Sequence, residues 1–199
     1  MKLLINIGHG GGDPGAVNSE LGVTENAFNR RLGNEIQKLW PYYTRLIEQS
    51  EHGLNQLVRD INSIAPDLVV SLHSNAAEAK TATGTETLYW HTSKEGKRLA
   101  ECVNACMVLA LKLPNRGVKP RDNLAILRGT ACPAIIVEPF FISNAADYKV
   151  ADAKVQELAK AIIKGVSDYV GNIDTSTGKS AGQANTGPAS SSGSKAKAN

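Results

Sequence analysis

The sequence predicts an α/β layer fold, a sheet covered on both faces by helices. Short apolar runs bounded by Gly and Pro alternate with longer stretches of helical periodicity. Three of these runs also stop abruptly at a polar side chain. Leu3-Leu4-Ile5-Asn6-Ile7 leads through Gly8 to His9, Asp67-Leu68-Val69-Val70-Ser71-Leu72 leads to His73, and Ala134-Ile135-Ile136-Val137 leads to Glu138. Open α/β sheets build their sites outside the carboxyl ends of strands. If these strands are parallel neighbours, His9, His73 and Glu138 meet at one edge.

Each element has its own signal. After the first run, the glycine-rich loop from Gly10 to Gly15 lets backbone or ligand come close. Thr24 then caps a helix whose Ala27, Phe28, Leu32, Ile36 and Leu39 recur at helical spacing up to Trp40-Pro41. Tyr42 to Ile47 reads as a strand. Gly53 to Ile64 reads as a helix with Leu54, Leu57, Val58, Ile61 and Ile64 on one face, ended by Ala65-Pro66. The third strand follows, ending at His73. Gly84 to Trp90 alternates and is rich in Thr and aromatics, which predicts a strand. Lys94 to Leu113 is a long helix stopped by Pro114 and Gly117, and Leu124 to Leu127 reads as a short strand. After the Glu138 strand, a helix is expected over Lys154 to Val170.

Composition bounds the rest. A chain of 199 residues with 42% hydrophobic residues supports one well-buried core. From Asp174 to Asn199 the sequence is almost wholly Ser, Gly, Ala, Thr, Lys and Asn, with nothing to bury. The expected division is therefore a folded unit over 1–172 and a disordered low-complexity tail over 173–199. The tail's Lys179, Lys195 and Lys197 against Asp174 account for most of the formal charge of +3, so the folded unit is near neutral. It lacks the basic stripe of a nucleic-acid binder. Cys102, Cys106 and Cys132 lack paired zinc-knot spacing and are read as buried free thiols in a reducing compartment. Met1-Lys2 runs straight into the first strand, so no signal peptide is expected, and no apolar run has the length of a membrane span. Synthesis in the cytosol without integral membrane contact follows as the expectation.

Two histidines and a carboxylate form a catalytic zinc set, with three protein ligands, a fourth position for water and a further carboxylate as general base. Glu20 and Glu25 both lie within reach as the third ligand, and the helix start at Gly22-Val23-Thr24-Glu25 favours Glu25. The blocks Gly8-His9-Gly10-Gly11-x-Asp13-x-Gly15, Gly22-x-x-Glu25, Ser71-Leu72-His73-Ser74-Asn75 and Val137-Glu138-x-x-Phe141-Ile142-Ser143-Asn144 together resemble the zinc-dependent N-acetylmuramoyl-L-alanine amidases of the amidase_3 type. Arg116-Gly117-Val118-Lys119 and Leu124-Ala125-Ile126-Leu127-Arg128 are also similar to that family, and the resemblance spans Ile5 to Val170.

The resemblance implies a twisted, mostly parallel sheet of about six strands. It implies metal ligands at His9, Glu25 and His73 for one Zn2+ per chain, and a catalytic glutamate at Glu138. The implied partner is peptidoglycan, cut between the lactyl group of N-acetylmuramic acid and the L-alanine of the stem peptide. A monomer acting on the wall after release, as a phage or prophage endolysin does, is the expected setting. Two rivals remain: a zinc peptidase cutting within the stem peptide, and a non-catalytic peptidoglycan-binding module.

Each residue also has a plainer reading. His9 alone could be a loop histidine bonded to backbone, His73 could precede ordinary turn formers, and Glu138 could be a structural acid paired with Arg128. His52 and His91 lie outside the blocks and read as surface or structural residues. Arg59 and Asp60 read as fold-stabilising charges. Glu86 matches an acidic position of the family but alternation could place it in solvent, so it stays outside the catalytic set. Asn75 is left between positioning a substrate and positioning a ligand.

Overall fold

The computed structural model describes residues 1–40, 43–48 and 52–176. The chain forms six main strands, β1 (Lys2–Ile7), β4 (Tyr43–Glu48), β5 (Leu68–Leu72), β6 (Thr85–Trp90), β7 (Asn115–Arg121) and β8 (Ala134–Glu138). A small ribbon of β2 (Val17–Asn18) and β3 (Val23–Thr24) precedes the first helix. The helices are α1 (Glu25–Leu39), α2 (Gly53–Ile64), α3 (Lys94–Leu111), α4 (Ala125–Gly129), α5 (Ala145–Ala153) and α6 (Val155–Ser176).

The sheet order is β4-β1-β5-β8-β6-β7. The first four strands run parallel, β6 pairs antiparallel with β8, and β7 runs parallel to β6. The carboxyl ends of β1, β5 and β8 therefore share an edge with the amino ends of β6 and β7. That edge holds the site.

Alternating side chains divide between two cores. Leu3, Ile5, Val70, Leu72, Ile135 and Val137 join Phe28, Leu32, Leu99, Met107 and Ile162 on one face. Leu4, Val69, Leu88 and Ile136 meet Leu57, Ile61, Ile126 and Leu127 on the other. With α1, α3 and α6 on the first face and α2 and α4 on the second, the doubly covered sheet agrees with the sequence-based expectation.

Three elements and the cysteines differ from expectation. Leu124 to Leu127 is the cap and start of helix α4, not a strand, and its Ile126 and Leu127 bury in the second core. A short apolar run does not distinguish the two by periodicity. The sixth strand is instead β7, whose Gly117 and Pro120 and lack of any fully buried residue belong to an edge strand paired only with β6. The terminal helix is preceded by α5, whose start is capped by Asn144 Oδ1 accepting the N–H groups of Ala146 and Asp147. The three cysteines are free thiols but only half-buried. Pro41 and Tyr42, and the tail from 177 onward, lie outside the described residues.

Candidate metal centre

The first strand delivers His9 by an unusual backbone path. Gly8 N–H donates to Leu72 O at 2.9 Å, tying the end of β1 to β5. His9 then takes a positive φ of 65°, followed by Gly10, Gly11 and Gly12, all with positive φ. Reciprocal bonds between Gly10 and Asp13, 3.0 and 3.1 Å, close the loop. A left-handed backbone at a histidine is uncommon and turns the ring back over the sheet edge.

Glu25 is the first residue of α1, where the helix dipole favours a carboxylate. The Thr24 Oγ1 cap accepts from Ala27 N–H at 3.3 Å and fixes the entry. The Glu25 carboxylate is buried, with Oε2 accepting from Ala16 N–H and Oε1 from Ser74 N–H, both at 3.0 Å. Oε2 also lies 3.1 Å from His9 Nε2, and Oε1 lies 3.0 Å from His73 Nδ1. The two rings meet edge to face with centroids 5.1 Å apart.

One donor atom from each of His9, Glu25 and His73 thus lies within 4.8 Å of the others. A tetrahedral ion with bonds of about 2.1 Å separates neighbouring donors by about 3.4 Å, close to the spacing from Glu25 to each histidine. Two imidazoles and one carboxylate are also the donor chemistry of an open catalytic zinc site. These residues can hold a metal ion.

The electrostatics favour positive charge here. The Glu25 carboxylate, helped by Asp13 and opposed by burial, pushes the His9 imidazole up to about 9. Burial pushes Glu25 up, but its bonds to His73 and His9 outweigh it and hold the carboxyl well below its ordinary range. A bound cation would take the place of that proton.

Asp13 supports His9 from behind. Its Oδ2 lies 2.8 Å from His9 Nδ1, while Oδ1 accepts Gly15 N–H at 2.9 Å. This contact selects the tautomer that leaves Nε2 facing Glu25. The sequence showed Asp13 within a motif but gave it no role.

Glu138 ends β8, the strand beside β5, and His73 N–H donates to Val137 O at 3.0 Å. The residue is half-buried, yet its Oε2 is sealed from solvent with no hydrogen-bond partner. Desolvation first, then the Glu25 and Glu86 carboxylates, push its carboxyl well above the ordinary range. No ion pair joins it to Arg128 among the described residues.

Glu86 is not in solvent. It is buried opposite Glu138 in the β6–β8 register, and Asn75 Nδ2 donates to its Oε1 at 3.1 Å. Asn75 thus braces Glu86. Glu20 is exposed and outside the cluster. His91 packs edge-on against Trp90, and Arg59 and Asp60 bond to Gln56 within α2.

A cavity of about 270 Å³ opens beside the two histidines, walled by Leu54, Leu57, Leu124, Ile126 and Ile136. The cavity lies against the cluster on the α2 and α4 side.

Fold and cluster together define an α/β protein with a candidate metal centre at the carboxyl edge of its sheet. The chain belongs to the Amidase_3 family, described as N-acetylmuramoyl-L-alanine amidase, which matches residues 3–168. It is 28% identical over 170 residues to the probable cell wall amidase LytH of Staphylococcus epidermidis, covering 84% of this chain and 57% of that protein. The chain therefore spans little more than half the length of the curated relatives it matches.

Among solved structures, the N-acetylmuramoyl-L-alanine amidase of Clostridium difficile 630 superposes with a TM-score of 0.77 at 27% identity, covering 85% of this chain and 96% of that one. The catalytic domain of an endolysin targeting Clostridia difficile gives a TM-score of 0.74 at 26% identity, covering 84% and 97%. The mostly parallel six-stranded sheet implied by the sequence resemblance is the fold these proteins share with this chain.

Proposed function

We propose that this chain is a zinc-dependent N-acetylmuramoyl-L-alanine amidase, cutting peptidoglycan between the lactyl group of muramic acid and the first L-alanine of the stem peptide. One observation carries the reading: the three candidate donors of His9, Glu25 and His73 cluster at the sheet edge where Glu138, at the end of the strand beside β5, keeps one carboxylate oxygen buried without a partner. Family membership and the named relatives support the bond that is cut.

His9 Nε2, Glu25 and His73 Nδ1 would hold the ion. A zinc ion bound there supplies Lewis acidity, polarising the scissile carbonyl and making water a stronger acid. Glu138 takes the proton from the attacking water and returns it to the departing amine of L-alanine, base first and acid afterwards. Asp13 holds the His9 ring in place, and the Ala16 and Ser74 N–H groups donate to Glu25 and favour its ionised form.

The site of action is the cell wall, and the likeness to an endolysin catalytic domain supports a lytic role. Among the described residues no helix is long and apolar enough to cross a membrane.

The test is digestion of purified peptidoglycan with and without chelator, reading the fragments by mass spectrometry. Stem peptides beginning at a free L-alanine amine, lost with chelator and restored by zinc, are expected. Cuts within the stem would favour a peptidase, and bound protein on intact wall would favour a binding module.

A further inference from the structure

β7 carries one residue more than its register with β6 allows. Thr85 pairs with Asn115 and Glu86 with Gly117, so Arg116 is left over as a bulge. Gly117 takes φ 78° to complete it. Asn115 Oδ1 accepts Gly117 N–H at 2.8 Å and Asn104 Nδ2 at 3.0 Å, and Asn104 Oδ1 accepts Thr87 Oγ1 at 3.1 Å. Bulges are rare in parallel pairs, and they re-aim side chains near sites.

This bulge aims Arg116 at the site edge. Its Nε donates to the buried Glu86 Oε2 at 2.8 Å, and its guanidinium carbon stands 4.9 Å from the Phe141 ring centroid. Nη1 has only a 3.4 Å contact to Thr83 O, and among the described residues Nη2 has no acceptor. The guanidinium plane is thus held by a buried acid and an aromatic ring, while its outer edge faces solvent. An ordinary surface ion pair has neither a buried acid nor a bulge to hold it.

We propose that Arg116 anchors a carboxylate of the stem peptide on the amine side of the scissile amide. The inference rests on the amidase reading. Along the edge the order is His9, His73, Glu138, Glu86 and Arg116, with His9 and His73 just beyond the ends of β1 and β5 and the others on β8, β6 and β7. Strands lie about 4.8 Å apart, so the strand of Arg116 is about 10 Å from that of Glu138. An extended peptide advances about 3.5 Å per residue, which puts an acid one or two residues beyond the alanine within reach. The glycan is uncharged and the carboxylates belong to the peptide, so a fixed guanidinium fork selects the peptide side.

The test uses two muramoyl dipeptides that differ only in whether the second residue carries free carboxylates or carboxamides. The zinc-loaded native protein should favour the free acid by about tenfold in kcat/KM, mainly through KM. Arg116→Gln should bring that ratio near one, and Arg116→Lys, a charge without the fork, should fall between. An unchanged ratio in Arg116→Gln, or no preference in the native protein, overturns the proposal. Binding of the same pair to zinc-loaded Glu138→Gln protein gives the ratio without turnover. If the native protein cuts neither compound but binding still discriminates through Arg116, the amidase reading fails and the anchor stands. Loss of discrimination in binding as well removes the anchor.

Discussion

Glu86 and Glu138 stand opposite one another on antiparallel strands, two carboxylates on one face of the sheet. Their surroundings separate them. Glu86 has Arg116 and Asn75 on its oxygens, whereas Glu138 has an oxygen buried without a partner.

Glu138→Gln should therefore stabilise the metal-free protein while removing most turnover. A carboxyl raised in the folded state favours its proton there, so folding loses stability as pH rises through the unfolded value of about 4.3 toward the folded one. The sign predicts equal stability of native and variant near pH 4 and a variant more stable by a few degrees at pH 8. Activity should fall by about 10²–10⁴-fold. Thermal melts across pH in chelator, paired with peptidoglycan digestion, check both halves.

Asp13→Asn should weaken the metal without dismantling the fold. Asp13 is half-exposed and bonds to His9 Nδ1 and Gly15 N–H, so its loss frees the ring and removes the negative charge behind it. Loss of such a support costs about 10–100-fold in metal affinity. Competition with a chromophoric chelator measures this. Native affinity in the variant would remove Asp13 from the site.

The sequence made the site legible where chemistry sits at strand ends. His9, His73 and Glu138 each follow an apolar run, and parallel pairing brings them together. Glu25 was legible only as a helix start. The Arg116–Glu86 contact was not legible, because it depends on a one-residue register shift between β6 and β7 that no local pattern encodes. For the same reason β7 was missed: an edge strand needs one paired side and tolerates Gly, Pro and charge. Glycine spacing likewise concealed which glycines touch the site.

Gly15→Ala and Gly12→Ala separate those roles. Both residues have positive φ, so an added Cβ strains either, by about 1 kcal/mol. At Gly12 nothing lies within 4 Å of that Cβ. At Gly15 it would come within 2.6 Å of the His9 ring and 2.8 Å of Glu25 Oε2, two members of the cluster at once. Gly12→Ala should lose a little stability and keep native zinc affinity, whereas Gly15→Ala should lose zinc binding by at least 10-fold because the ring and carboxylate must move apart. Isothermal titration with zinc distinguishes them, and equal affinities would mean that the loop relaxes freely around His9.

His73→Ala isolates the metal's contribution to stability. Zinc at 100 times its Kd should stabilise the native chain by about 2.7 kcal/mol, since it binds the folded state and not the unfolded one. At about 2–4 °C per kcal/mol for a chain of this size, that is a rise in Tm of roughly 5–10 °C. His73 supplies one of only two nitrogen donors in the cluster, and its ring lies on Glu25 Oε1, so its removal leaves both an incomplete ligand set and a less constrained carboxylate. The zinc-dependent rise should therefore vanish in His73→Ala. In Glu138→Gln it should persist, because that side chain is outside the three-donor cluster. A full rise in His73→Ala would place the ion elsewhere, and loss of the rise in Glu138→Gln would make Glu138 a ligand instead of a base.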